Sequence, residues 1–204
     1  IVLAGDNNLH HERIATAINF YLGNLDETVM IADHVFTRHG NDNDVDDLIK
    51  SLNGNKVGVL MMQGVNPVYT MSADKNFAEA LSKAGTSVCF SEKLDETSSL
   101  CDYSLPTNHY LESWGDAVPK TNHVSLTQPV IRPLFDTKQP QEVYLSILGE
   151  NPDYHKFLRS FFDEKAVELG FSVTWNQLLH DGWFEIRLTA MDLFHAELDY
   201  LNLN

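Results

Sequence analysis

The residue pattern most suggestive of chemistry is the turn Gln63-Gly64-Val65-Asn66-Pro67, which closes an apolar run. Gly64 has no β-carbon, so a ligand or a second backbone could approach closely there. Asn66 could hold its side chain across the turn, and Pro67 pre-sets the backbone. At the carboxyl end of a strand in an α/β sheet, such a turn is a ligand platform. The same residues also suit a plain change of direction.

Other patterns fail their tests. The first glycine turn reads Ala4-Gly5-Asp6-Asn7-Asn8, without the repeated glycines of a dinucleotide fingerprint, and no P-loop pattern is present. The acidic run 41–47 invites a calcium reading. A calcium loop starting at Asp42 would need Gly at its sixth position and Glu at its twelfth. Asp47 and Asn53 stand there instead, so the run reads as the acidic start of a helix. The nine histidines are scattered. His10-His11 and His34/His39 match no zinc-ligand spacing. Ser98, Ser99 and Ser104 lack a nucleophile elbow. The two cysteines, Cys89 and Cys101, are too few for a disulfide framework or for an iron–sulfur cluster.

These residues must be positioned by alternating elements. Apolar runs at 1–5, 28–32, 56–62, 86–92 and 102–106 predict strands. Helical spacing at 11–22, a run between an Asp44 cap and Gly54, and the stretches 72–85 and 95–101 predict helices between them. The period is roughly 25 to 30 residues, and the strands scarcely alternate with polar residues, as strands covered on both faces do. The expected fold class is α/β, a doubly wound, mostly parallel Rossmann-like sheet. From Thr107 to Pro140 the texture changes: four of the seven prolines fall there, and a long irregular excursion over the strand ends is expected. Stretches 139–150, 153–170 and 174–184 then read as helical, leaving 184–204 unassigned. The expected division is a domain over 1–150 with a helical extension over 151–204.

The net charge of −15 over 204 residues repels a phosphate backbone and an anionic lipid surface, so neither nucleic acid nor membrane is an expected partner. No stretch reaches the roughly 20 apolar residues that span a bilayer. The chain opens directly on a strand-like run, which leads to the expectation that it is a piece of a longer polypeptide.

Residues 60–135 carry a further signal. Gly64, Asn66 and Pro67, then Glu96, Thr97 and Ser98, then Cys101, Asp102, Leu105 and Pro106 follow one another at intervals that resemble the third, Rossmann-like domain of the molybdopterin oxidoreductase family. The stretches Asn66–Tyr69, 95–117 and 125–137 resemble above all the molybdopterin-like iron–sulfur subunit of alternative complex III, a bacterial respiratory quinol oxidoreductase. In active members this domain holds part of a molybdopterin guanine dinucleotide. The resemblance therefore implies a cofactor-binding set of Gly64, Asn66, Pro67, Glu96, Thr97 and Asp102, with no catalytic residue and no metal ligand in this chain.

The sequence departs from the active pattern after Leu105-Pro106. Asp116 takes a threonine's place and His123 roughly that of an arginine. A pyrophosphate needs fixed positive charge. The implied reading is a non-catalytic scaffold in which the cofactor set is vestigial and no cofactor is held. Iron–sulfur clusters would lie elsewhere in the parent subunit. Partners would be the rest of that subunit and other subunits of a membrane-bound respiratory complex, on the periplasmic side, without insertion into the membrane. Tyr110, Trp114 and Phe135 are the candidate interface anchors. The alternative is a working, cofactor-holding domain of a molybdenum oxidoreductase.

Overall fold

The computed structural model describes residues 1–6, 8–25, 27–30, 35–36, 40–170 and 172–185. In chain order these form α1 (Leu9–Tyr21), α2 (Asp42–Asn53), β1 (Val59–Gln63), α3 (Pro67–Thr70), α4 (Phe77–Leu81), β2 (Thr86–Ser91), β3 (Tyr103–Pro106), β4 (Gly115–Lys120), β5 (His123–Thr127), α5 (Pro140–Ile147), α6 (Tyr154–Leu169), α7 (Trp175–Asp181) and β6 (Trp183–Glu185). The fold is α/β with a helical C-terminal part, as the spacing predicts. Two compact units emerge. One takes Ile1–Arg38, Asp116–Ser125 and Asp181–Asn204, the other His39–Gly115 and Leu126–His180.

The second unit is built on the parallel sheet β1-β2-β3. Val59 lies opposite Thr86 and Gln63 opposite Phe90, while Phe90 also pairs with Leu105. All three strands therefore end at the same edge, where the Gly64 turn begins. Ile49 and Leu52 of α2, Met62 of β1, Phe77, Ala80 and Leu81 of α4 and Cys89 of β2 form one buried cluster. Full burial of a leucine such as Leu52 or Leu81 stabilises by about 1.5–3 kcal/mol. At the other edge the strands approach closely. A β-carbon on Gly85 would stand 2.6 Å from the Gly58 carbonyl oxygen, so only glycine fits. Helix α2 starts one turn earlier than expected. Asn41, not Asp44, caps it, its side chain accepting the Asn43 N–H at 3.1 Å. Asp44 instead accepts a bond from the Asn41 amide.

The excursion from Thr107 is more ordered than its prolines suggest. Buried Glu112 accepts the His109 and Leu134 N–H groups, both at 3.0 Å. Buried Gln139 pairs with the Trp114 backbone in both directions, at 3.0 and 2.8 Å. These side chains supply hydrogen bonds that a ladder would otherwise supply. Trp114 stacks on His155 with ring centroids 4.4 Å apart, beside Trp175. It is thus an internal packing residue, whereas Tyr110 (64% exposed) and Phe135 (78%) stand in solvent.

In the first unit the expected strand over 1–5 does not form. Asn19 of α1 accepts the Val2 N–H at 2.9 Å and donates to the Val2 carbonyl at 2.7 Å, so one side-chain amide stands in for a strand neighbour. Asn19 and Ala15 are consequently the buried residues of α1. The apolar residues whose helical spacing predicts the element, such as Ile14, Ile18 and Tyr21, are exposed. Of the run 28–32, only an isolated Leu25–Val29 bridge is seen; Ile31 and Ala32 lie outside the described residues, as do His34, His39 and 186–204. The strands β4, β5 and β6 form a second sheet in that order, with β5 antiparallel to β6. Part of the predicted irregular excursion is therefore strand, and so is the end of the predicted helix 174–184. Trp183 and Phe184 find cross-strand partners in Ser125 and Val124, and aromatic residues favour pleated surfaces over short helix ends.

Candidate functional site

At the carboxyl edge of the parallel sheet the Gly64 turn faces the segment after β2. Gly64 has φ +62°, and a β-carbon there would meet nothing within 4 Å. Its N–H is bound to the Phe90 carbonyl at 3.2 Å. Glycine is required here for backbone conformation, not for lack of room.

Asn66 and Thr97 lock this turn to the Glu96-Thr97 segment. The Asn66 Oδ1 accepts the Thr97 hydroxyl at 2.7 Å and the Thr97 N–H at 3.2 Å. Its Nδ2 donates to Glu96 Oε2 at 2.7 Å. The Thr97 Oγ1 in turn accepts the Val68 N–H at 3.0 Å. Thr97 is completely buried and caps the short helix α3 from 29 residues away, where Pro67 needs no N–H partner of its own. The bond from Asn66 holds the Glu96 carboxyl below the usual glutamate range. Four of the six predicted cofactor-binding residues besides Pro67 and Asp102 thus meet: Gly64, Asn66, Glu96 and Thr97, with Pro67 opening the helix that they cap.

Asp102 does not join them. It sits just before β3, at the opposite edge of the sheet. Its Oδ2 accepts the Ser87 N–H at 2.7 Å and the Ser87 hydroxyl at 2.9 Å, and its own N–H returns a bond to the Ser87 Oγ at 2.9 Å. These bonds lower its pKa, the Ser87 backbone N–H most of all. The arrangement ties the start of β2 to the start of β3.

A cleft of about 510 Å³ opens beside the turn. Gln63, Asn66, Ser91, Asn108 and Gln141 give it a polar neutral lining, and Glu92, Lys93 and Asp95 its charges. Among the described residues Lys93 is the one cationic side chain that lines it. Asp95 is engaged in a reciprocal cap that sequence reading missed. It accepts the Ser98 N–H at 2.8 Å, while its own N–H donates to the Ser98 Oγ at 2.7 Å. The three-residue spacing of Asp95 and Ser98 was the available signal. The Ser98 N–H holds the Asp95 carboxyl below its ordinary range.

Asp116 and His123 belong to the first unit, on β4 and β5. There the His123 ring stacks on Trp183, with centroids 4.9 Å apart. Burial pushes the Cys89 thiol up to about 11, so it is not a thiolate at neutral pH. Among the described residues no group of three or more His, Cys, Asp or Glu is placed to hold a metal ion. No helix among them is long and apolar enough to cross a membrane.

The chain is 32% identical over 95 residues to the menaquinone reductase, molybdopterin-binding-like subunit of Nitratidesulfovibrio vulgaris; the alignment covers 45% of this chain and 14% of that protein. Acetylene hydratase from Pelobacter acetylenicus superposes with a TM-score of 0.54 at 18% identity, over 69% of this chain and 20% of that one. That likeness is one of fold. The chain thus spans a minor part of the length of each. A family model for molybdopterin oxidoreductase matches residues 7–149. With most of its length covered by that model, the chain belongs to the molybdopterin oxidoreductase family.

Proposed function

We propose that this chain is a non-catalytic scaffold domain of a molybdopterin oxidoreductase-like subunit in a respiratory quinol or quinone oxidoreductase complex of the alternative complex III kind. Iron–sulfur clusters in the rest of the subunit would carry the electrons. The subunit would sit peripherally on the periplasmic side of the membrane, against the other subunits. The name of the curated relative, a molybdopterin-binding-like subunit of a menaquinone reductase, favours this setting.

One observation carries the absence of a cofactor role. Among the described residues the cleft at the turn sets a single ammonium, Lys93, against Glu92 and Asp95, with Glu96 hydrogen-bonded alongside on Asn66. A doubly phosphorylated dinucleotide requires cations where this surface supplies carboxylates. The acceptor oxygen of Asn66 is also doubly engaged by Thr97. The residues present do not fit the pyrophosphate of a molybdopterin guanine dinucleotide. Gly64, Asn66, Pro67, Glu96 and Thr97 instead serve as a fixed corner at the strand ends.

The second reading, a cofactor-holding domain of an active molybdenum oxidoreductase, draws on the cleft itself, an open space at the strand ends beside a glycine turn. Elemental analysis and pterin fluorescence of the denatured full-length subunit separate the two. The scaffold reading expects neither molybdenum nor pterin. One equivalent of each would overturn it.

A further inference from the structure

The only two cysteines of the chain, Cys89 and Cys101, line neither the turn nor its cleft, and the fold brings them together. Cys89 lies in β2, the central strand of the parallel sheet, with Met62 and Ser104 as its partners on either side. It is fully buried in the core cluster, and Cys101 packs against that same cluster. The chain reaches Cys101 through the short turn Ser98–Leu100, which the Cys101 N–H closes on the Ser98 carbonyl at 3.4 Å. The next residue, Asp102, is clamped to Ser87 by three hydrogen bonds. Ser87 and Cys89 alternate along one strand and so share a face. That clamp and the packing hold Cys101 over the face of β2 from which the Cys89 side chain projects. The two thiols stand within hydrogen-bonding reach of each other, and the Cys101 Sγ donates to the Thr97 carbonyl at 3.3 Å.

The two sulfurs differ in access. Cys89 is closed to solvent, whereas Cys101 is half-buried. Burial raises both thiols, Cys89 to about 11, so the pair rests as a protonated dithiol until an oxidant reaches the outer sulfur. The segment between them carries Glu96 and Thr97, which hold Asn66.

We propose that Cys89 and Cys101 are a redox-active pair, which closes to an intrachain disulfide on exchange with a small-molecule disulfide and so braces the segment that carries Thr97. Cys101 gives up its proton, and its sulfur attacks one sulfur of the oxidant. The oxidant's S–S bond breaks and one thiol departs. Cys89, deprotonated in turn, attacks the Cys101 sulfur, forming the new S–S bond and expelling the second thiol. The protein loses two electrons and two protons, and the oxidant takes them up as two thiols. This inference is independent of whether the domain holds a cofactor.

The test uses the full-length subunit, purified with reductant, freed of it and incubated with glutathione disulfide. Acid quenching, alkylation in denaturant and peptide mass spectrometry then read each cysteine. The expected product joins the Cys89 and Cys101 peptides, is lighter than the reduced pair by both thiol hydrogens, and is reversed by dithiothreitol. Its urea midpoint should lie above that of the reduced protein. Cys89→Ala should stop the reaction at a mixed disulfide of Cys101 with glutathione, and Cys101→Ser should leave Cys89 unmodified, with thermal unfolding as the folding check. The wild-type product decides the matter even where a variant fails to fold. The proposal is overturned if both cysteines remain free thiols, if wild-type Cys101 stays as the mixed disulfide, if either cysteine pairs outside residues 1–204, or if the closed form is no harder to unfold.

Discussion

The two edges of the parallel sheet each depend on a glycine, for opposite reasons. At the edge where the strands start, Gly85 is needed because a β-carbon would run into the Gly58 carbonyl oxygen at 2.6 Å. At the edge where they end, Gly64 is surrounded by open space and is needed for its positive φ. Both edges are also stitched by side-chain bonds between chain segments. Asp102 with Ser87 does this at the start, and Asn66 with Thr97 and Glu96 at the end. The starting edge is close-packed architecture. The ending edge is a shaped, open surface whose polar groups bond mainly to one another.

Substitutions at the two edges should separate these roles. Gly85→Ala should have the largest effect, about 3 kcal/mol of lost stability or failure to fold, because backbone opposes backbone and neither can retreat. Chemical denaturation measures it, and a loss below about 1 kcal/mol would mean that the strands can separate there. Thr97→Val should come next, at roughly 1–3 kcal/mol, since it leaves the Val68 N–H without its buried partner and the Asn66 oxygen with the Thr97 N–H alone. Thr97→Ser should recover most of that loss. Gly64→Ala should cost about 1–2 kcal/mol through conformation alone. Gly64→Asn, which tolerates the left-handed region better, should cost less. If Ala and Asn cost the same, the positive φ is not what Gly64 provides.

The smallest effects are electrostatic and appear only in acid. Asp102, Asp95 and Glu96 have folded-state pKa values below those of the unfolded chain. A depressed carboxyl stabilises the fold fully above its unfolded value, near 3.9 for Asp and 4.3 for Glu, and the contribution disappears as pH falls through the lower folded value. Urea midpoints should therefore be flat from neutral pH down to about 5 and drop below about 4. Asp102→Asn should shrink that drop at the starting edge and Glu96→Gln at the ending edge. An unchanged acid slope in both variants would assign the transition to other carboxylates.

Strand placement was legible for the second unit because β1, β2 and β3 are short apolar runs with turn residues between them, but the expected cover on both faces is met by β2 alone, since Val59 and Met61 of β1 and Tyr103 of β3 are exposed. The same reasoning failed for residues 1–5. A strand exists only if a neighbour completes its hydrogen bonds, and the Asn19 amide took that place. The order within 107–140 was hidden as well, because buried Glu112 and Gln139 look like surface residues in a sequence. In the candidate site, the motif resemblance put Asn66 and Thr97 in one cofactor-binding set, but the bond between them across 31 positions was not among the expectations. Nothing local in the chain indicates it. Asp102 shows the converse: it lies six residues or fewer from Glu96 and Thr97 in sequence, but β3 begins at the opposite edge, so one short connection carries it the full length of a strand away.

By itself the sequence determined the alternation of helices and strands, the need for glycine at the turn, and a charge hostile to phosphates. Those are properties of residue type and local order. Only tertiary structure decided which edge of the sheet each polar residue serves and that Asn66 bonds to Thr97 and Glu96 within the fold. Such outcomes depend on which distant segments meet, and a hydrogen bond or a groove exists only where both of its sides are in place.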